Sequence, residues 1–341
     1  MIMIKEKLAK LSMCYCISLM QYNGQEYCIC ASEERDGDIV LIDTENRQVI
    51  NIRGLSGGVM AIIPVPERDG GFFAIQKFYP VFDSVNAEIV YCQLEGYAEE
   101  EICLSVTRVA KLPYVHRIAL TGKEGERKII AATLCTEKKT TDDWSSPGAV
   151  YEFTLDQQMK VTEKRTLLEG IHKNHGMYTY QKSGGFYLMI SGEEGVWAID
   201  QQGAAQKLLN EPISDLCMFD VDNDGMDELI CISPFHGNAM KIIKFGEMGC
   251  EVIDEKPLSF GHAVWSGLCG RKCAVISCSR GGDKCTKIYT PSETDPGCLE
   301  ETDVEEGAGA SNITVKEEKN GIVLYAANHE NNEVARYYIE L

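Results

Sequence analysis

The stretch Phe219-Asp220-Val221-Asp222-Asn223-Asp224-Gly225-Met226-Asp227-Glu228-Leu229 sets carboxylates at alternate positions ahead of a glycine. Oxygen ligands at every second position, followed by a residue that permits a sharp turn, suit a hard cation such as Ca²⁺. An EF-hand loop would add a Glu at its twelfth position and a helix on each side. Counted from Asp220, the twelfth residue is Cys231, inside the β-like run Leu229-Ile230-Cys231-Ile232-Ser233. The loop therefore joins two strands, and strand–loop–strand is the frame to seek elsewhere.

The frame recurs. Period-two alternation and β-branched or aromatic content mark pairs of strands that begin at Cys14 and Tyr27, Gly57 and Gly71, His116 and Lys128, His175 and Gly185, Asp215 and Glu228, His262 and Cys273, and Asn312 and Gly321. A third strand follows each pair, and fourth strands show at 48–52, 101–104 and 160–163. Seven units in 341 residues give about 49 residues each, near the period of four-stranded propeller blades. A pair of β-sandwiches would rarely repeat one pattern seven times, and β-helix rungs are shorter. The expectation is an all-β, seven-bladed β-propeller spanning 1–341 as one domain. Its approximate blades are 11–53, 54–106, 112–167, 171–209, 212–254, 259–300 and 309–341 plus 1–8. The seventh unit ends after its third strand, so Met1-Ile2-Met3-Ile4 is expected to supply the missing outer strand and close the ring. Segments 140–146 and 292–309 read as disordered insertions.

A formal charge of −19 argues against nucleic acid and against an anionic membrane surface. No apolar run approaches the length of a membrane span, and the first residues lack the pattern of a signal peptide. Fifteen cysteines, many inside apolar runs, read as small hydrophobes kept reduced, which favours a cytoplasmic location. Cys14/Cys16 and Cys28/Cys30 are two apart, so each pair would share a strand face, a weak candidate for a soft metal.

Aligned at the start of the inner strand, the seven units place Cys14, Gly57, His116, His175, Asp215, His262 and Asn312 in one register. Three of the six histidines share it. The ends of the second strands return to the same mouth with Glu33, Lys77, Tyr79, Glu193, Glu194, His236, Arg280, His329 and Glu330. One strand histidine is ordinarily a satisfied polar residue; three in a repeat register, beside cations and carboxylates, suggest a polar pocket. The sequence has neither a GxSxG elbow nor a GxGxxG loop, which leaves no support for a serine nucleophile or a nucleotide cofactor. A neutral His can remove a proton α to a carbonyl, and Arg280, Lys77 or a histidine-held metal can stabilise the enolate. His116, His175 and His262 are therefore the candidate catalytic residues, or alternatively ligands of a divalent transition metal. Lys77, Tyr79, Glu193, His236, Arg280 and His329 are the candidate substrate contacts.

In its inter-strand setting the acidic loop resembles the DxDxDGxxE/D loop of FG-GAP/VCBS repeats. The resemblance implies a structural Ca²⁺ held by Asp220, Asp222, Asp224 and Glu228 with the Met226 carbonyl; the alternative is a solvated acidic turn. The pieces Tyr114-Val115-His116-Arg117, Asn174-His175-Gly176, Gly261-His262-Ala263 and Ser279-Arg280-Gly281-Gly282 resemble pocket segments of the aldos-2-ulose dehydratase and rhamnose–glucuronate lyase propellers. That implies β-elimination on a keto-sugar, uronide or glycoside. A non-catalytic platform for protein or glycan, and a metal-dependent propeller lactonase, are the competing expectations.

Overall fold

A computed structural model describes residues 1–79, 83–98, 101–182, 185–246, 249–292 and 299–341. They form strands throughout, with a single turn of 3₁₀ helix at His329–Asn331. The innermost strands are Cys14–Tyr22, Ala61–Pro64, Val115–Thr121, Gly176–Lys182, Asp215–Phe219, Gly261–Cys269 and Ala310–Glu317. Each begins an antiparallel meander of four. Neighbouring inner strands touch in one unbroken cycle, and the seventh returns to the first. The protein is a seven-bladed β-propeller.

The seventh blade completes itself from the other end of the chain. Ile2–Lys10 pairs antiparallel with Glu333–Glu340, from Ile2 opposite Glu340 to Lys10 opposite Glu333. Edge groups of the last strand are thereby covered, as closure requires. One seam was not visible in the sequence: the outer strands of blades 1 and 2 pair in parallel, Asn51 with Glu101 and Ile52 with Ile102, joining the two blades into one eight-stranded sheet.

The core lies between blades. Second strands are sandwiched on both faces; every residue of Gly321–Asn328 is buried. Outer strands alternate, as Val49–Arg53 does. Apolar clusters fill the gaps, for example Ala263, Ile276, Leu324 and Tyr337 between blades 6 and 7. Each strand is therefore held mainly by faces it presents to neighbouring sheets, consistent with the hydrophobic runs that defined the repeat.

Three expectations need correction. Residues 299–305 are not an insertion but the outer strand of blade 6, paired with Thr286–Pro291; 293–298 lie outside the described residues. Segment 140–146 is placed as a turn, with Asp143 accepting from the Ser145 amide and hydroxyl. The cysteine pair 14/16 is also split. Cys14 opposes Ser32 whereas Cys16 opposes Ala31, so the residue between them is bulged out. Cys14 Sγ then faces Glu333 of blade 7 and Cys16 Sγ faces Val59 of blade 2. All cysteines among the described residues are free thiols, and no described helix is long and apolar enough to cross a membrane.

Candidate active site at the channel mouth

That bulge is the device that builds the site. The ladder between first and second strands skips one residue in four blades: Tyr15, His116, His262 and Ser311. In the other three, Met60, His175 and Ser214 sit at the same level just ahead of the inner strand and donate their amides to the second strand. A bulge leaves one residue out of the pairing and re-aims its side chain. The four bulges and the three positions ahead of a strand together give one residue per blade at one mouth of the channel: Tyr15, Met60, His116, His175, Ser214, His262 and Ser311. The sequence register was right at the three histidines. It was one residue off at Cys14, Asp215 and Asn312, and three off at Gly57. There the chain passes too close for a side chain: a Cβ on Gly57 would stand 2.2 Å from the Arg35 carbonyl oxygen.

The level is stitched from blade to blade. His175 Nδ1 donates to the Ser214 carbonyl at 3.0 Å. His262 Nδ1 donates to the Ser311 carbonyl at 2.7 Å. Ser311 Oγ donates to the Tyr15 carbonyl at 2.9 Å, and Arg117 Nε donates to the His175 carbonyl at 3.1 Å. A carbonyl can only accept, so Nδ1 carries the proton on both histidines. Burial, with Arg117 and neighbouring imidazoles adding to it, holds His175 well below the usual histidine range. Burial, then His236 and Arg280, does the same to His262, and burial, then Arg117, to His116. Neutral imidazoles protonated at Nδ1 present bare Nε2 lone pairs. His175 Nε2 is buried and has no hydrogen-bond partner. His262 Nε2 faces Arg280 at 3.4 Å and the Tyr15 hydroxyl at 3.5 Å. Tyr15 also lies 3.4 Å from His116 Nε2, and burial pushes its phenol up.

Tyr15, Met60, His116, His175 and His262 line a cavity of about 370 Å³. The second-strand ends add Glu33, Phe235, His236 and Arg280, while Trp144, from the loop after the second strand of blade 3, stands at its edge. The walls are aromatic. His236 stacks on Phe235 with centroids 4.1 Å apart and on His262 at 5.1 Å, and Trp144 meets Phe235 edge-on at 5.4 Å. His236 Nε2 is likewise buried and unpartnered; burial, then Arg280 and Arg117, lowers its pKa to about 3.

The Arg280 guanidinium is held from behind. It donates to His329 Nδ1 at 2.8 Å and to Glu330 at 3.2 Å, and His329 Nε2 lies 2.7 Å from Glu33. Burial works against the Glu330 anion, but Lys284, Arg280 and His329 hold its carboxyl down at about 2. His329 is therefore a support for Arg280 and does not line the cavity. Lys77, Tyr79 and Glu193 also stand outside it. Lys77 pairs with Glu88 at 2.6 Å, Tyr79 stacks under Arg35, and Glu193 pairs with Lys173 at 3.0 Å. His172 turns to Glu194. The sequence reading missed Tyr15, Trp144, Phe235 and Phe260. Only Tyr15 left a trace, as the neighbour of the register residue Cys14.

A metal among His116, His175 and His262 does not match the geometry. Among the described residues, the one trio with ligand atoms all within 4.8 Å of one another is Asp220, Asp222 and Asp224. The Arg280 guanidinium against His262 also opposes a cation there. The acidic trio lies between Asp215–Phe219 and Glu228–Ser233, at the opposite end of blade 5 from the histidines.

No family model matches the chain, and no curated protein sequence matches it. Among solved structures, the β-propeller domain of Cps50 (Swd1) from Myceliophteria thermophila is similar at 11% identity, covering 97% of this chain and 99% of that one, with a TM-score of 0.58. A putative 6-phosphogluconolactonase from Bacteroides uniformis is similar at 11% identity, covering 91% and 87%, with a TM-score of 0.53. At such identity these likenesses show the fold alone.

Proposed function

We propose that the protein is a small-molecule enzyme whose site at the channel mouth abstracts a proton from carbon, acting as a carbohydrate lyase, dehydratase or isomerase. The observation that carries this reading is His175: neutral, its Nδ1–H fixed on the Ser214 carbonyl, its Nε2 lone pair buried and bare. A positioned neutral imidazole is in its proton-accepting form near pH 7, and a bound substrate anion or Glu33 would have to raise the basicity that burial lowers. His175 is the base in this reading. Arg280, anchored by His329 and Glu330, stabilises the negative oxygen of the enolate, and Tyr15 returns a proton to the leaving oxygen. The aromatic walls suit the C–H face of a sugar ring, and the cavity volume suits one or two rings. No step is assigned to a metal or nucleotide. The free thiols support action in the cytoplasm.

A second reading is hydrolysis of a sugar lactone. The bare Nε2 of His236, its ring 5.0 Å from that of His175, favours it, because two acceptors can hold an attacking water. A panel of keto-sugars, uronides, glycosides and aldonolactones decides between the two. Elimination gives ultraviolet absorbance from an unsaturated product, and lactone opening gives acid without absorbance. In either case His175→Ala abolishes turnover. A protein that binds panel members yet turns over none of them is a binding module, and the enzyme reading fails.

A further inference from the structure

The loop that looks built for calcium already holds a cation of its own. Lys244, on Ala239–Gly246 of the same blade, places Nζ 2.5 Å from Asp222 Oδ2 and 2.5 Å from Asp224 Oδ2, and 3.7 Å from Glu228 Oε1. The other oxygens of the three aspartates and Glu228 Oε2 accept from the loop's own backbone, while Glu228 Oε1 is buried without a hydrogen bond. Asp220 accepts from the amides of Asp224 and Gly225, and Glu228 Oε2 accepts from Val221 at 2.8 Å.

Calcium takes six to eight oxygens around one point. Here that point is occupied by an ammonium, which bonds Asp222 and Asp224 and brings one positive charge near Glu228. An ion and Lys244 cannot share the place: a divalent cation a few ångströms from the ammonium would be repelled, and the carboxylates cannot turn toward both. We infer that Lys244 is the loop's resident cation, that the 220–228 turn is metal-independent, and that the lysine stands in the position where a repeat of this pattern would bind Ca²⁺. This inference is independent of the chemistry at the opposite mouth.

The test compares the full-length chain with Lys244→Met and Lys244→Gln, by calcium calorimetry and by thermal unfolding in EDTA and in millimolar CaCl₂. The expected result is no calcium binding and no calcium-dependent Tm shift in the wild type. The variants, relieved of the ammonium but keeping all four carboxylates, unfold earlier in EDTA and recover by about 2 °C or more with calcium. Adding Asp222→Asn and Asp224→Asn removes that recovery. Saturable calcium binding by the wild type overturns the inference, and this arm holds even if the variants fail to fold. Folded variants that gain no calcium affinity overturn it as well.

Discussion

His175 Nδ1 and the Ser214 carbonyl, 3.0 Å apart, tie blade 4 to blade 5 and in the same bond decide which nitrogen of His175 faces the cavity. One contact thus serves both architecture and chemistry. The level that sets His175 at the mouth, just ahead of its inner strand, also turns the Ser214 carbonyl toward it. The base is consequently oriented by backbone, which point substitutions in the neighbouring blade would not remove.

His175→Gln is the most informative substitution that follows. It keeps a donor within reach of the Ser214 carbonyl and removes the basic nitrogen. Turnover is expected to fall by about 10²–10⁴-fold, the usual contribution of a general base, with KM little changed. A His262→Gln chain should suffer less, because the His262 lone pair is already shared with Arg280 and Tyr15. Steady-state kinetics on any substrate found by the panel checks the order; equal losses would remove His175 from the role of base.

The limits of the sequence reading follow from the same bulge. Alternation and period made the blades legible, and histidines are conspicuous enough that three of them fixed a register. A bulge adds a residue without disturbing the apolar pattern on either side of it, so Tyr15 and Ser311 were each assigned to a neighbour, whereas Ser214 lies one residue ahead of the strand start that the pattern marks. Trp144 and Phe235 lie in loops that carry no period at all. Lys77 reads as a mouth residue by position, and only the structure shows Glu88 holding it aside. The Lys244 ammonium lies one strand away from the acidic motif, and nothing in the motif itself points to it.

Stability should depend on pH through the buried imidazoles. Their folded pKa values lie below the ordinary 6.5, well below it at His116, His175 and His262 and at about 3 at His236. The unfolded chain therefore binds more protons between those values, and stability rises with pH across that window and levels off above about 6.5. Acidification from pH 6.5 to 5 should lower the urea midpoint, each fully shifted imidazole contributing at most about 1.4 kcal/mol per pH unit. His236→Gln should remove as much as one proton from that dependence. A profile that is flat between pH 5 and 6.5, or unchanged in the variant, would show that these rings are not buried and neutral.

Arg280→Lys should separate charge from geometry. The lysine keeps a positive charge, but it cannot reach His329, Glu330 and the cavity together as the forked guanidinium does. Loss of a charge-assisted hydrogen bond to an anionic or enolic oxygen predicts a reduction of about 10- to 100-fold in kcat/KM. Glu330→Gln should produce a smaller loss of the same kind by loosening the guanidinium. If Arg280→Lys is silent in kcat/KM while Glu330→Gln is not, the guanidinium does not act on the substrate.

Ring closure gives a stability test that involves no ligand. On Ile2–Lys10, Leu8 and Ala9 are buried against blades 7 and 1, and Lys5 and Lys7 meet Glu333 at 2.7 and 3.3 Å. Burial should outweigh the ion pairs, since surface pairs contribute at most about 1 kcal/mol and a buried leucine about 2–5 kcal/mol on truncation. Leu8→Ala is therefore expected to cost about 2–5 kcal/mol in denaturant unfolding, and Lys7→Ala less than about 1 kcal/mol. Removing residues 1–10 should go further, because the edge of Glu333–Glu340 is then unpaired and free to recruit another chain. Light scattering that grows with protein concentration in the truncated form, and not in Leu8→Ala, would separate the exposed edge from simple loss of packing.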